Sequence, residues 1–339
     1  MNPFLTKVVE GKSLSEQEAF EVMDQIMHGA VTTGQLMSLL SVLRFRGETV
    51  AELTGFARAM RENMTKLETD DDDVVDTCGT GGDGSSTFNI STAVAIVLAS
   101  MGVKVAKHGN RKVSSKSGSA DVLEALGIPI DASPEQGARA LREKGMTFMF
   151  APTYHQAMKH AVPARKELGF RTIFNLLGPL SNPAQAKRQL IGIYDTAFGE
   201  KVAETLKQLG SKHVLLVAGQ DGLDEITITG KTDIVELKDG GIKRYTMTPE
   251  DVGLERGEIS DIQIGTPDQS AAIIQDIMKN HANQSAKNIV LLNAGAGLYV
   301  AGKAETIQEG VEKVRNALAT GSVLSYFEAI TEKEMQKYA

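Results

Sequence analysis

Apolar residues early in the chain recur three and four positions apart: Phe20, Met23 and Met27; Leu36, Leu39, Leu40 and Leu43; Leu53, Phe56 and Met60. That spacing puts each set on one face of a helix. Ahead of the sets stand hydroxyl residues followed three positions later by an acid or amide: Ser13 with Glu16, Thr32 with Gln35, Thr49 with Glu52. Each pair fits a capping box, in which the two side chains satisfy the free N–H groups of a first helical turn. The N-terminal region is expected to be a helical bundle whose Met- and Leu-rich faces form a core or a subunit contact. The pattern stops at the acidic run Asp70 to Asp73, read as a solvated linker in preference to a metal site.

Beyond the run the texture changes to short apolar stretches bounded by turn residues. Val74 to Cys78, Val103 to Ala106, Met146 to Phe150, Gln189 to Tyr194 and Val214 to Ala218 read as strands. Helices are expected from about Ile90 to Met101 and from Asp121 to Leu126. Ile234 to Met247 reads as a hairpin turning at Asp239-Gly240-Gly241. The last part of the chain is again helical and Ala-rich. Strands alternating with helices imply an α/β fold with a mainly parallel central sheet flanked by helices.

Between the first strand and its helix lies GTGGDGSSTFNIST, residues 79–92. Four glycines in the first six positions let the backbone turn tightly and approach a ligand with no Cβ in the way. Hydroxyls and amides follow at the start of a helix, where exposed N–H groups and the helix dipole favour an anion. Gly79, Gly81 and Gly84 also satisfy the dinucleotide-binding glycine pattern, but that site needs an acid roughly 20 positions on to hold the ribose. Residues 85–120 contain no Asp or Glu. They carry instead Lys104, Lys107, Arg111, Lys112 and Lys116, which with His108 predict a pocket for a polyanion such as a pyrophosphate.

Composition narrows the partners. The chain has 339 residues, 42% hydrophobic and 23% charged, an ordinary globular balance. A net charge of −7 argues against a duplex nucleic-acid partner. The single cysteine, Cys78, excludes an internal disulfide and suits a reducing compartment; a small buried hydrophobe is favoured over a nucleophile. Neither a targeting segment nor a run of ~18 apolar residues is visible, so a cytoplasmic protein with no membrane partner is expected.

DTCGTGGDGSSTFNIST and KVAKHGNRKVSSKSGSADVLEALG together resemble the anthranilate phosphoribosyltransferase family of tryptophan biosynthesis. The resemblance continues through FAPTYHQAMKHAVPARKELGFRTIFNLLGPLSNPA, DGLDEI and NAGAGLYVAG, from about Asp76 to Gly302. One departure is Ala218, where the pattern leads one to expect histidine before Gly219. The resemblance implies a small all-helical domain beside a larger α/β domain of the nucleoside phosphorylase/phosphoribosyltransferase type. Residues 1–70, joined by helices from about 154–180, would form the first. Residues 71–153 and 181–339 would form the second.

The resemblance also implies the site. Phosphoribosyl pyrophosphate (PRPP) would be held by Gly79, Gly82, Asp83, Thr87, Asn89, Ile90, Ser91 and Thr92, by Lys107, His108, Gly109, Asn110, Arg111, Lys112, Val113, Ser114 and Ser115, and by Ser119. Anthranilate would meet Gly79, Asn110 and Arg165, the last pairing with its carboxylate. Mg²⁺, two ions per monomer, would be bound by Ser91, Asp224 and Glu225. On residue type alone Asp224-Glu225 would be a surface acidic pair and Arg165 an exposed arginine. His108 and His155 are candidates for proton removal or for structural roles, and no general base is assigned. A homodimer through the helical domain is expected from the resemblance. A pyrimidine nucleoside phosphorylase and a non-catalytic nucleic-acid-binding homologue are the alternatives.

Overall fold

The computed structural model describes residues 1–111 and 117–335. The chain opens with helices α1 (Asn2–Val9), α2 (Glu16–Met27), α3 (Thr33–Arg46) and α4 (Val50–Glu62). Thr32 with Gln35 and Thr49 with Glu52 form the expected capping boxes. The first box is shifted by two residues: α2 is capped by Ser15 with Glu18, not by Ser13 with Glu16. Ser13 instead accepts a bond from the Arg46 guanidinium at 3.1 Å. The observed register buries Leu14 and lets its amide donate to Glu52 at 2.9 Å. Helices α2 and α4 approach closely because position 55 is glycine; a Cβ there would overlap the Glu16 carbonyl.

The second part alternates: β1 (Val75–Gly79), α5 (Ile90–Ser100), β2 (Val105–Gly109), α6 (Ser119–Ala125), α7 (Pro134–Lys144) and β3 (Met146–Phe150). Three short helices follow, α8 (Ala151–Tyr154), α9 (Val162–Leu168) and α10 (Ile173–Leu180), and then β4 (Arg188–Gly192), α11 (Gly199–Gln208) and β5 (His213–Gly219). The hairpin β6 (Thr232–Lys238) and β7 (Gly241–Met247) precedes the closing helices α12 (Pro267–Met278), α13 (Gln284–Val300), α14 (Ile307–Ala319) and α15 (Ser322–Met335). The hairpin turns at Asp239-Gly240, both at positive φ (49° and 78°), the geometry of a two-residue turn that matches strand twist.

Among the described residues the strands form one seven-stranded sheet, ordered β3-β2-β1-β4-β5-β6-β7. The first five are parallel and the hairpin extends the sheet antiparallel. Side chains of β5 alternate between two cores, as a strand period of two requires. Leu215 and Val217 join the core under α5 and α12–α15, while Val214, Leu216 and Ala218 join one that runs into the helical bundle. Ala218 therefore packs as a small buried residue.

Asp70–Asp73 is more than the solvated linker expected. Asp72 pairs with Lys187 at 3.0 Å, and Asp73 with Arg188 at 3.0 Å and Lys212 at 3.3 Å. The cations sit at the starts of β4 and β5, so two acids of the run tie the chain to the N-terminal edge of the sheet. Among the described residues, no helix is long and apolar enough to cross a membrane.

Candidate active site

Strand order fixes where a ligand can enter. From β1 the chain winds through β2 and β3 on one side, then returns to β4 and β5 on the other. The crevice at such a switch lies beyond the carboxyl ends of the strands. Here those ends are Gly79 and Gly192, paired in register. A cavity of about 210 Å³ opens there, lined by the glycine-rich loop, the end of β2 with residues 107–110, the start of α6, and Asp224-Glu225.

Gly81, Gly82 and Gly84 adopt φ of 67°, 77° and 76°, which explains the glycine density at these three positions. The Thr80 amide donates to the Gly192 carbonyl at 2.8 Å, and the Gly81 amide to Asp224 Oδ2 at 3.1 Å. Asn89 caps α5 by accepting from the Thr92 amide at 3.1 Å. At Gly109 a Cβ would strike the Ser119 hydroxyl and the Phe148 ring, so only glycine lets β2 pass close to α6.

Asp224 and Glu225 come from the turn after β5. Buried Asn293 of α13 braces that turn, accepting from the Ile226 amide at 3.0 Å and donating to its carbonyl at 2.9 Å. Burial and the neighbouring Asp83 push Asp224 up to about 7. Burial, then Asp224, push Glu225 well above the carboxylate range. Asp83, Asp224 and Glu225, each half-buried, gather carboxylate charge on one wall that Lys107 and the Gly81 amide only partly offset. No three metal-type side chains close around an ion by themselves among the described residues. An incomplete set of hard oxygens, leaving room for water and substrate phosphate, fits Mg²⁺.

Positive charge comes from Lys107, whose buried ammonium donates to the Thr77 carbonyl and to Ser91 Oγ at 3.0 Å. Burial lowers its pKa, opposed by Asp76, Cys78 and Glu225. Asp76 itself is fully buried and accepts from the His108 amide at 3.1 Å. The rings of His108 and His155 lie 5.0 Å apart, and both Nε2 atoms are buried without a hydrogen-bond partner. Burial drops His108 to about 3 and His155 to about 4, so both are neutral at physiological pH. The Cys78 thiol is pushed up by burial and by Asp76, the behaviour of a small hydrophobe and not of a nucleophile.

Of the residues expected at a site, Gly79, Gly82, Asp83, Thr87, Asn89, Ile90, Ser91, Lys107, His108, Gly109, Asn110, Ser119, Asp224 and Glu225 line this cavity. Thr92 lies behind it, buried and bonded to Asn89. Lys112, Val113, Ser114 and Ser115 lie outside the described residues, as does Lys116. Arg165 does not line the cavity; it lies half-buried on α9 with its guanidinium 5.4 Å from the Phe174 ring centre. No carboxylate among the described residues pairs with it.

The expectation that five cations converge is corrected. Lys104 stands at the opposite end of β2 from the cavity and caps carbonyls of Leu141 and Arg142 at 3.0 and 2.8 Å. Arg111 turns to Glu124 and Asp121. Those acids begin just past the acid-free window, so counting charge along the chain missed the fold-back. Of the five cations, only Lys107 lines the cavity among the described residues. Sequence reasoning also passed over Asp76 and Asn293 as individual residues. The available signal was a polar side chain inside an otherwise apolar element, which folding tolerates only with a partner.

A helical bundle beside an α/β domain, with a glycine-rich loop facing half-buried acids at a strand switch, defines a two-domain glycosyltransferase. The family described as glycosyl transferase family, helical bundle domain, matches residues 2–64, and its a/b domain counterpart matches residues 71–324. An anthranilate phosphoribosyltransferase of Geobacillus sp. (strain WCH70) is 58% identical over 335 residues, covering 99% of this chain and 98% of that one. The crystal structure of anthranilate phosphoribosyltransferase from Thermus thermophilus superposes with a TM-score of 0.91 at 41% identity, covering 98% and 99% of the two chains. The Saccharomyces cerevisiae enzyme in complex with PRPP and Mg shares the fold, with a TM-score of 0.88 at 24% identity over 98% of this chain and 97% of that one. The chain belongs to the anthranilate phosphoribosyltransferase family.

Proposed function

We propose that this glycosyltransferase moves the phosphoribosyl group of PRPP to the amino nitrogen of anthranilate, releasing pyrophosphate, with the cavity at Gly79 and Gly192 as the PRPP site. The observation that carries the reading is that Lys107, the glycine loop and the half-buried Asp83, Asp224 and Glu225 line one cavity. Donors alone would hold any phosphate. The acids make sense if a cation accompanies a polyanion, which favours a pyrophosphate leaving group over the inorganic phosphate of a nucleoside phosphorylase.

In this scheme Ser91, Asp224 and Glu225 hold Mg²⁺, two ions per protomer, and the metal when bound offsets charge on the departing pyrophosphate. Lys107 supplies fixed positive charge with no reorganisation, since its ammonium is already anchored on Thr77 and Ser91. Gly79 and Asn110, both on the cavity wall, would orient the amine. Arg165 takes the anthranilate carboxylate: a desolvated guanidinium without a protein carboxylate partner among the described residues is prepared for one. The arylamine attacks through its neutral lone pair, so no base has to precede attack. His108 and His155 have buried Nε2 atoms and are neutral with strongly lowered pKa values, so neither is assigned as the acceptor of the proton shed afterwards. Holding the reactants together can contribute about 7–11 kcal/mol at best.

Exposed Phe45 (95%), Val9 (63%) and Val162 (51%) on helices α3, α1 and α9 support a homodimer through the helical domain. The lone cysteine supports a reducing, cytoplasmic setting. The deciding experiment mixes the protein with PRPP, Mg²⁺ and anthranilate and follows anthranilate fluorescence. Consumption that needs all three is expected. No consumption, with phosphate-dependent cleavage of uridine or thymidine, overturns the reading in favour of the phosphorylase.

A further inference from the structure

The loop from Gly84 to α5 lines the proposed PRPP cavity, yet its shape is held from elsewhere. Ser86 sits at φ 57°, a left-handed conformation that a serine keeps only against steric cost. The groups that hold it come from the segment before α12, far along the chain. There the Ile264 amide donates to the Ser86 carbonyl at 2.8 Å, and the Phe88 amide donates to the Ile262 carbonyl at 2.9 Å. Thr87 and Gln263 are thereby paired as an antiparallel bridge. The side-chain amide of Gln263 donates to the Ser85 carbonyl at 2.9 Å. Ser270, fully buried in the first turn of α12, accepts from the Asn89 amide at 2.8 Å, and Asn89 is the residue that caps α5.

These four bonds occupy the carbonyls of Ser85 and Ser86 and the amides of Phe88 and Asn89. Among the described residues, no protein acceptor takes the N–H of Ser86 or Thr87. Building on the PRPP reading, we propose that Gln263 and Ser270 are positioning residues for the phosphate end of the substrate. They satisfy the loop's other backbone groups and fix its left-handed residue, so that the Ser86 and Thr87 amides stay free as preorganised donors to phosphate oxygens. Neither touches the reacting atoms. Donors set before the ligand arrives cost no reordering on binding, which is why loss of the clamp weakens the anion and not the acceptor.

Gln263 is exposed, so truncating it leaves the core intact. The test compares the unmodified chain with Gln263→Ala, Ser270→Ala and Ser270→Thr. Pyrophosphate with Mg²⁺ is titrated by calorimetry, and KM is measured separately for PRPP and anthranilate. Gln263→Ala is expected to weaken pyrophosphate binding and raise the PRPP KM roughly three- to tenfold, as one side-chain bond to the Ser85 carbonyl is lost. The anthranilate KM and the melting temperature should stay unchanged. Ser270→Ala should act the same way, and Ser270→Thr, which keeps the hydroxyl, should recover binding. Unchanged pyrophosphate binding in Gln263→Ala, or an equal rise in both KM values, overturns the inference alone. An unmodified chain that binds no pyrophosphate overturns it together with the PRPP reading. If that chain binds pyrophosphate but leaves anthranilate untouched, only the acceptor is wrong, and the binding comparison still decides the role of Gln263.

Discussion

The Gly81 amide donates to Asp224 Oδ2 at 3.1 Å across 143 residues of sequence. That bond joins the glycine turn, proposed to supply anion donors, to the acidic turn, proposed to supply cation ligands. A further constraint tightens the same corner: a Cβ on Gly192 would overlap the Asp224 carbonyl. The two turns therefore share one wall of the cleft.

Replacing Asp224 with Asn and Glu225 with Gln should raise the Mg²⁺ concentration needed for half-maximal rate. The loss in kcat/KM for PRPP should be on the order of 100-fold, or ~2.7 kcal/mol of transition-state stabilisation. The measurement is the rate against Mg²⁺ for each variant, and an unchanged curve removes the pair from the metal site.

Arg165→Ala should raise the anthranilate KM roughly 10- to 100-fold, the worth of a charged hydrogen bond, while the PRPP KM moves little. Arg165→Lys should recover only part of the loss, because an ammonium cannot engage a carboxylate as a planar fork. Equal effects on both substrates would assign Arg165 to packing against Phe174 instead.

Phe45, 95% exposed on α3, is the residue to change for assembly. If the chain forms the proposed homodimer, Phe45→Asp should halve the mass seen by sedimentation equilibrium and leave the helical content of the protomer unaltered. A mass independent of this residue would move the contact elsewhere.

Glu236 sits fully buried at the far side of the sheet, accepting from Tyr299 at 2.7 Å and Tyr245 at 3.0 Å, close to His213 and Lys243. Burial raises its pKa, but bonds from His213, Tyr299, Lys243 and Tyr245 outweigh that and bring it to about 2, against an ordinary 4.5. Because the folded value is depressed, the stabilisation is present above pH 4.5 and is lost as pH falls toward 2. Glu236→Gln should flatten that slope in melting temperature. It should also cost about 3–5 kcal/mol at neutral pH, where the surrounding cation and donors lose their carboxylate.

Much of the fold was legible in the residues. The strand Met146–Phe150 and the turn at Asp239-Gly240 stand where the apolar run and turn residues put them. Two capping boxes held because their chemistry is local, and the Ser13 box slipped to Ser15 because burial of Leu14 chose between two overlapping patterns. Glycine density marked the loop that lines the cavity, since a backbone that must adopt positive φ has few residues to choose from.

Charge was where linear reading failed. Lys104, Lys107 and Arg111 are near neighbours in sequence, yet one caps carbonyls at the far end of β2, one lies buried under the cavity and one is spent on acids of α6. Sequence by itself determined the elements, the glycine-rich loop of the cavity and the family resemblance, because those depend on local periodicity and residue type. Only the tertiary structure decided which charges face one another. Electrostatic interaction follows distance and burial in space, and winding the chain around the β1–β4 switch sets both.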